Sequence, residues 1–175
     1  MHKTMTLTIA VLVAASTSAA AQQADMSAFE TGPVFEDFGP HAPVEGAGDI
    51  PSLARFAIAF DVAKAATDGA RNRGFESAAR FMNMHVAAGV PQDRIDLAVV
   101  VHGGAVRDLV SGDDTSSAQM VRDMLDHGVR FIVCGQSAAA QGIAADDLID
   151  GVEMDLSAMT AHALLQQDGY TVNPF

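Results

Sequence analysis

Seven residues, IDLAVVV at Ile95–Val101, are apolar at all but one position and run straight into His102-Gly103-Gly104. A half-exposed strand alternates apolar and polar side chains, and a surface helix repeats its apolar positions every three to four residues. An unbroken apolar run of this length, closed by turn residues, reads as a strand buried on both faces. RFAIAFDVA (Arg55–Ala63) and VRFIVCG (Val129–Gly135) have the same character. GVEMDL (Gly151–Leu156) is a shorter fourth strand, and YTVNPF (Tyr170–Phe175) suits an edge strand.

Helical stripes separate these runs. GFESAARFMNMHVAAG places Phe75, Ala78, Ala79, Met82 and Val86 on one side. DTSSAQMVRDMLDHG turns Ala118, Val121, Met124 and Leu125 inward, with Thr115, Ser116 or Ser117 as its N-cap and Gly128 at its end. SAMTAHALLQQDG is capped by Ser157, buries Ala158, Ala161, Leu164 and Leu165, and stops at Gly169. Strand–helix alternation with apolar strands predicts an α/β fold: a flavodoxin-like three-layer sandwich, with a mostly parallel sheet of about five strands and helices on both faces. In such sheets the working groups lie at the C-terminal ends of the strands. Two stretches fall there, VVHGGAV and VCGQSAAAQG.

Near its start the chain has His2 and Lys3, then an apolar run from Met5 to Ala15 and a small-residue stretch in which Ala19 and Ala21 have A-x-A spacing. This pattern predicts an export signal, residues 1–21, cut after Ala21; the run is too short to span a bilayer. Residues 22–51 are rich in Gly, Pro and acidic side chains and read as an extended arm. Either the arm is a flexible leader, or Phe29, Phe35 and Phe38 pack it onto the domain, residues 52–175, or onto a neighbouring subunit. With 10 Lys and Arg against 22 Asp and Glu, the net charge is −12. A field of that sign repels phosphate backbones and anionic lipid, so nucleic acid and membrane surfaces are poor partners. An apolar content of 49% without tryptophan, together with sheet edges that need cover, suggests a homo-oligomer.

The chain has a single cysteine, Cys134. In an exported protein it makes no internal disulfide, so it is a free thiol, an intermolecular bridge or a packing residue. At a strand end, before Gly135 and a helix start, backbone N–H groups converge and favour thiolate. Gln136 and Ser137 add hydrogen-bonding side chains. The competing reading makes Cys134 the last inward residue of its strand, inert and buried. His102 holds the equivalent place one strand earlier, before Gly103 and Gly104. If the two strands are neighbours, it is a base or charge partner for the thiolate; otherwise it is a hydrogen-bonded structural group. His85 and His162 fall at the edges of apolar stripes and read as packing residues, His127 sits in the last turn of a helix, and His41 belongs to the arm. No pair has zinc-motif spacing, so no metal is expected. There is no GxSxG elbow and no phosphate-loop GKS or GKT.

In LAVVVHGGAV (Leu97–Val106), VCGQSAAAQGI (Val133–Ile143) and SAMTAHALLQQDGY (Ser157–Tyr170), taken in this order, the chain resembles the DsrE/DsrF-like family of sulfur-transfer proteins. The resemblance implies a flavodoxin-like fold and assembly into trimers or hexamers. It also implies a cysteine that accepts sulfur as a persulfide and passes it to a partner protein, without a cofactor. That role falls on Cys134; His102 matches the VHG motif. The resulting expectation is a periplasmic sulfur handler with catalytic Cys134 and His102 and a pocket built from Gly103, Gly104, Gly135, Gln136 and Ser137. Two other readings remain open: a homo-oligomeric binding or assembly module with an inert cysteine, and a redox sensor acting through an intermolecular Cys134 disulfide.

Overall fold

The computed structural model describes residues 25–173 apart from 68, 113 and 114; the expected export signal lies outside them. Five strands form one all-parallel sheet: β1 (Phe56–Val62), β2 (Ile95–Val101), β3 (Arg130–Cys134), β4 (Glu153–Asp155) and β5 (Thr171–Asn173). Their order across the sheet is β4-β3-β2-β1-β5. Every run read as a strand is one, and the α/β architecture is as the pattern implies.

Four helices cover the sheet: α1 (Arg73–Ala87), α2 (Ser116–Asp126), α3 (Gly135–Gln141) and α4 (Ala158–Gln167). Asn72, Thr115 and Ser157 cap α1, α2 and α4 by accepting backbone N–H bonds of the first turn. A 3₁₀ segment, Gly103–Leu109, follows β2.

Because side chains alternate along a strand, each strand feeds two cores. Phe60, Val62, Leu97, Val99, Val101, Phe131 and Val133 point to the larger one, shared with α1, α2 and Ala138 of α3. Ala59, Ala98, Val100 and Ile132 point the other way and meet Ala161 and Leu165 of α4. The small side chains of Ala59, Ala98 and Ala161 leave little between this helix and the sheet.

Three successive connections step across the sheet from β1 to β4 with their helices on one face. The last connection returns from β4 to the far side of β1 and carries α4 on the opposite face. The chain therefore leaves β3 toward one face and β4 toward the other, and a crevice opens between their C-terminal ends. That divergence is where open α/β sheets place their sites.

The arm is part of the fold. Phe35 and Phe38 are buried and stacked on each other, with ring centroids 4.9 Å apart. Asn83 of α1, fully buried, accepts the N–H groups of Val34 and Phe35 and donates to the carbonyls of Phe35, Phe38 and Gly39. Phe29 stays 38% exposed and takes no part in this anchor. No helix among the described residues is long and apolar enough to cross a membrane.

Candidate functional site

The β2–β3 register pairs Val101 with Val133, so His102 and Cys134 come next to each other at the ends of adjacent strands. The β1–β2 register pairs Asp61 with Val100. Asp61, His102 and Cys134 all continue the two-residue alternation of Ala59, Val100 and Ile132, so all three face the α4 side. His162 reaches the same place from α4. The result is a pocket of about 390 Å³ lined by Asp61, His102, Cys134, Gln136, Ser137, Ser157, Ala158, Met159 and His162.

Cys134 ends β3 and is 6% exposed. Burial pushes its thiol up and is the largest single influence. The Ser137 hydroxyl and the N–H groups of Ser137, Ala158 and Gln136 together outweigh it, and the thiol lies below the ordinary cysteine range. These donors come from the first turns of two helices on opposite faces of the sheet, a consequence of the divergence after β3 and β4. Ser137 also accepts the Gly103 N–H at 3.1 Å, which leaves its own proton free for the sulfur. Gln141 donates to the carbonyls of Gly103 and Ser137, both at 2.9 Å, and ties the turn after β2 to α3.

Asp61 joins the two histidines. One carboxylate oxygen lies 2.8 Å from His162 Nε2 and the other 3.1 Å from His102 Nε2. Burial raises the Asp61 carboxyl and is the largest single influence, but the hydrogen bonds and charges of His162 and His102 hold it below its usual value. Nδ1 of His162 is buried without a hydrogen-bond partner.

Of the residues assigned to the pocket from the sequence, Gln136 and Ser137 line this cavity. The three glycines act through the backbone instead. Gly103 adopts φ +55°, and a Cβ there would stand 3.0 Å from the Ala63 carbonyl; a Cβ on Gly104 would be in ordinary contact with Ala65. A Cβ on Gly135 would stand 2.8 Å from the Asp155 carbonyl, so glycine is what lets the start of α3 pass close to β4.

Sequence reasoning missed Asp61, Ser157 and His162. His162 reads as a packing residue on its helix, and only the fold brings it to Asp61. The one available signal was an acidic residue, Asp61, inside an otherwise apolar strand. His85 is the packing residue expected, stacked on Phe81 at 3.9 Å. His127 meets Phe35 edge-on, and His41 bonds the Gly32 carbonyl within the arm. No group of three metal-ligating side chains occurs among the described residues, and no arm residue lines the pocket.

A parallel α/β domain with a polarised cysteine where successive strands diverge defines the class. The chain belongs to the DsrE/DsrF-like family, whose model matches residues 54–174. Among solved structures it is similar to the protein of unknown function MTH1491 from Methanobacterium thermoautotrophicum. That match has 20% identity and a TM-score of 0.51, and covers 69% of this chain and 99% of the other. It is also similar to the ychN protein from E. coli, at 20% identity and a TM-score of 0.47, covering 69% of this chain and 99% of that one. No curated protein matches the chain.

Proposed function

We propose that this protein carries sulfane sulfur as a persulfide on Cys134 and relays it to an acceptor thiol, in the periplasm to which its N-terminal leader directs it. The observation that carries the reading is the pocket in which Cys134 sits beside Gln136, Ser137 and Ala158, groups that hold its thiol below the ordinary cysteine range. A sulfur placed only for packing needs none of them. They favour thiolate before loading and suit the anionic outer sulfur afterwards.

Loading from thiosulfate is a displacement: the Cys134 thiolate attacks the sulfane sulfur, a new S–S bond forms and sulfite leaves with the electron pair of the broken bond. Unloading reverses the roles. An acceptor thiolate attacks the outer sulfur, takes it as its own persulfide, and the Cys134 thiolate departs. Neither step needs an oxidant or a cofactor. With no second cysteine in the chain, the persulfide cannot be resolved internally as a disulfide, so the acceptor must come from outside. Asp61 holds His102 and His162 in place on the wall of the same pocket.

The test is the intact mass of wild type and Cys134→Ala after incubation with thiosulfate or polysulfide and rapid desalting. A gain of about 32 mass units per sulfur, removed by reductant and confined to wild type, is expected. An unmodified wild-type mass with the thiol still present would rule the carrier role out and leave the binding module.

A further inference from the structure

Where β1 ends, a second cavity of about 520 Å³ opens beside the Cys134 pocket, and Asp61 lines both. Lys64, Arg71 and Arg73 also line it, three of the ten Lys and Arg in a chain with 22 acidic residues. None of the three forms an ion pair with a described residue. Asp61, the one acidic side chain on the lining among the described residues, is engaged by His102 and His162. The walls are held in place. Asn72, 1% exposed, donates to the Lys64 carbonyl at 2.9 Å and to the Asp108 carboxylate, which also accepts the Ala66 N–H at 2.8 Å. Arg71 lies over the Phe38 ring of the arm, 5.7 Å from its centroid. A Cβ on Gly74 would stand 2.6 Å from the Val62 side chain, so glycine lets α1 begin against the end of β1. Asn72 already accepts the Gly74 and Phe75 N–H groups, so the positive charge of the cavity is that of its side chains rather than of the helix end.

We propose that this cavity binds a small dianionic oxyanion through Lys64, Arg71 and Arg73 and, resting on the carrier reading of Cys134, that the oxyanion is the sulfur donor. A net charge of −12 repels a dianion from most of the surface. The Cys134 pocket has no Lys or Arg on its lining to offset that field. The cations on the other side of Asp61 do offset it, because like charges gathered in a concave wall focus the potential and raise the local concentration of anions. Three cations that repel one another are relieved by a shared counter-ion, and a dianion supplies more of that relief than a single charge. Thiosulfate is sulfate with one oxygen replaced by sulfur, so its remaining oxygens suit guanidinium and ammonium donors as those of sulfate do.

The experiment titrates the protein with sulfate, which cannot donate sulfur, at constant ionic strength and follows backbone amide shifts. Wild type is compared with Lys64→Gln/Arg73→Gln and with a control, Arg55→Gln/Arg94→Gln, which removes the same charge just before β1 and β2, at the opposite end of the sheet. Expected are saturable shifts around Lys64 and Arg73 in wild type and control, with binding about tenfold weaker in the cavity variant, which loses two charge contacts. A wild type without saturable shifts there overturns the site, as does a cavity variant that binds like the control. A second arm measures the rate of sulfur loading on Cys134 against thiosulfate concentration. The half-saturating concentration should rise in the cavity variant by the same factor as for sulfate, while the maximal rate holds. Loading that is identical in all three proteins overturns the assignment of the oxyanion as donor. A wild type that binds sulfate at the cavity but gains no sulfur keeps the anion site and overturns the carrier reading instead.

Discussion

Asp61 and His162 stand 101 positions apart in the chain and meet at 2.8 Å, carboxylate oxygen to Nε2, across the crevice between the sheet and α4. The contact fastens the helix that carries one wall of the Cys134 pocket to the strand at the other side. It also fixes one imidazole, while the second carboxylate oxygen fixes His102.

Replacing Asp61 by Asn should therefore cost stability in a pH-dependent way. The folded carboxyl lies below its usual 3.8, so the ionised form is favoured by folding. That contribution is complete above the unfolded value and fades as pH falls through the folded one. The side chain is 40% exposed, and solvent screening limits the effect to about 1 kcal/mol or less. Asp61→Asn should melt ~2–4 °C lower than wild type at pH 7, with the gap closing below pH 3.8. A gap of equal size at pH 7 and at pH 3 would show that the charge is not responsible.

What the sequence made legible follows from where the forces act. Apolar runs and caps are local, so the strands and helices can be read directly, and Cys134 and His102 stand out as reactive types beside turn glycines. Asp61 and His162 were not legible, because their meaning depends on α4 crossing the second face of the sheet. Strand order decides that, and nothing near either residue records it. The arm shows the same limit. Phe35 and Phe38 announce an apolar surface, but the residue that anchors them, Asn83, looks like an ordinary helix position.

Ser137→Ala should raise the Cys134 thiol toward its ordinary 9.0, since the hydroxyl is one of the groups that lower it. The rate of alkylation by iodoacetamide, followed against pH, reports it as an upward move of the midpoint. The loss of the Gly103 N–H acceptor also loosens the turn after β2, so Ser137→Thr serves as the conservative variant and should retain the low midpoint. Identical midpoints in wild type and Ser137→Ala would mean that the backbone N–H groups suffice.

Gly135→Ala tests whether the passage of α3 past β4 is as tight as it stands. The new methyl would lie 2.8 Å from the Asp155 carbonyl oxygen, a backbone atom that cannot rotate away. Overpacking of this kind costs about 1–3 kcal/mol, so the variant should melt several degrees below wild type. Cys134 should also react with altered kinetics, because Gln136 and Ser137 shift with the helix. Unchanged melting and alkylation would show that β4, an edge strand of three residues, yields at no cost.

Asn83→Ala tests the arm. Asn83 makes five hydrogen bonds to arm backbone, and its removal leaves buried N–H and carbonyl groups unpaired at about 1–3 kcal/mol for each group that finds no water. Phe35 and Phe38 still favour the docked state through their buried rings, so the expected outcome is local rather than global loss. Residues 25–50 should become a substrate for limited proteolysis in the variant, at sites resistant in wild type, while the β-sheet signal persists. The Cys134 alkylation rate should stay at its wild-type value, because no arm residue lines that pocket. An arm that remains protected in Asn83→Ala would place the anchoring energy in the stacked phenylalanines. An alkylation rate that rises with arm release would show that the arm reaches the reactive crevice after all.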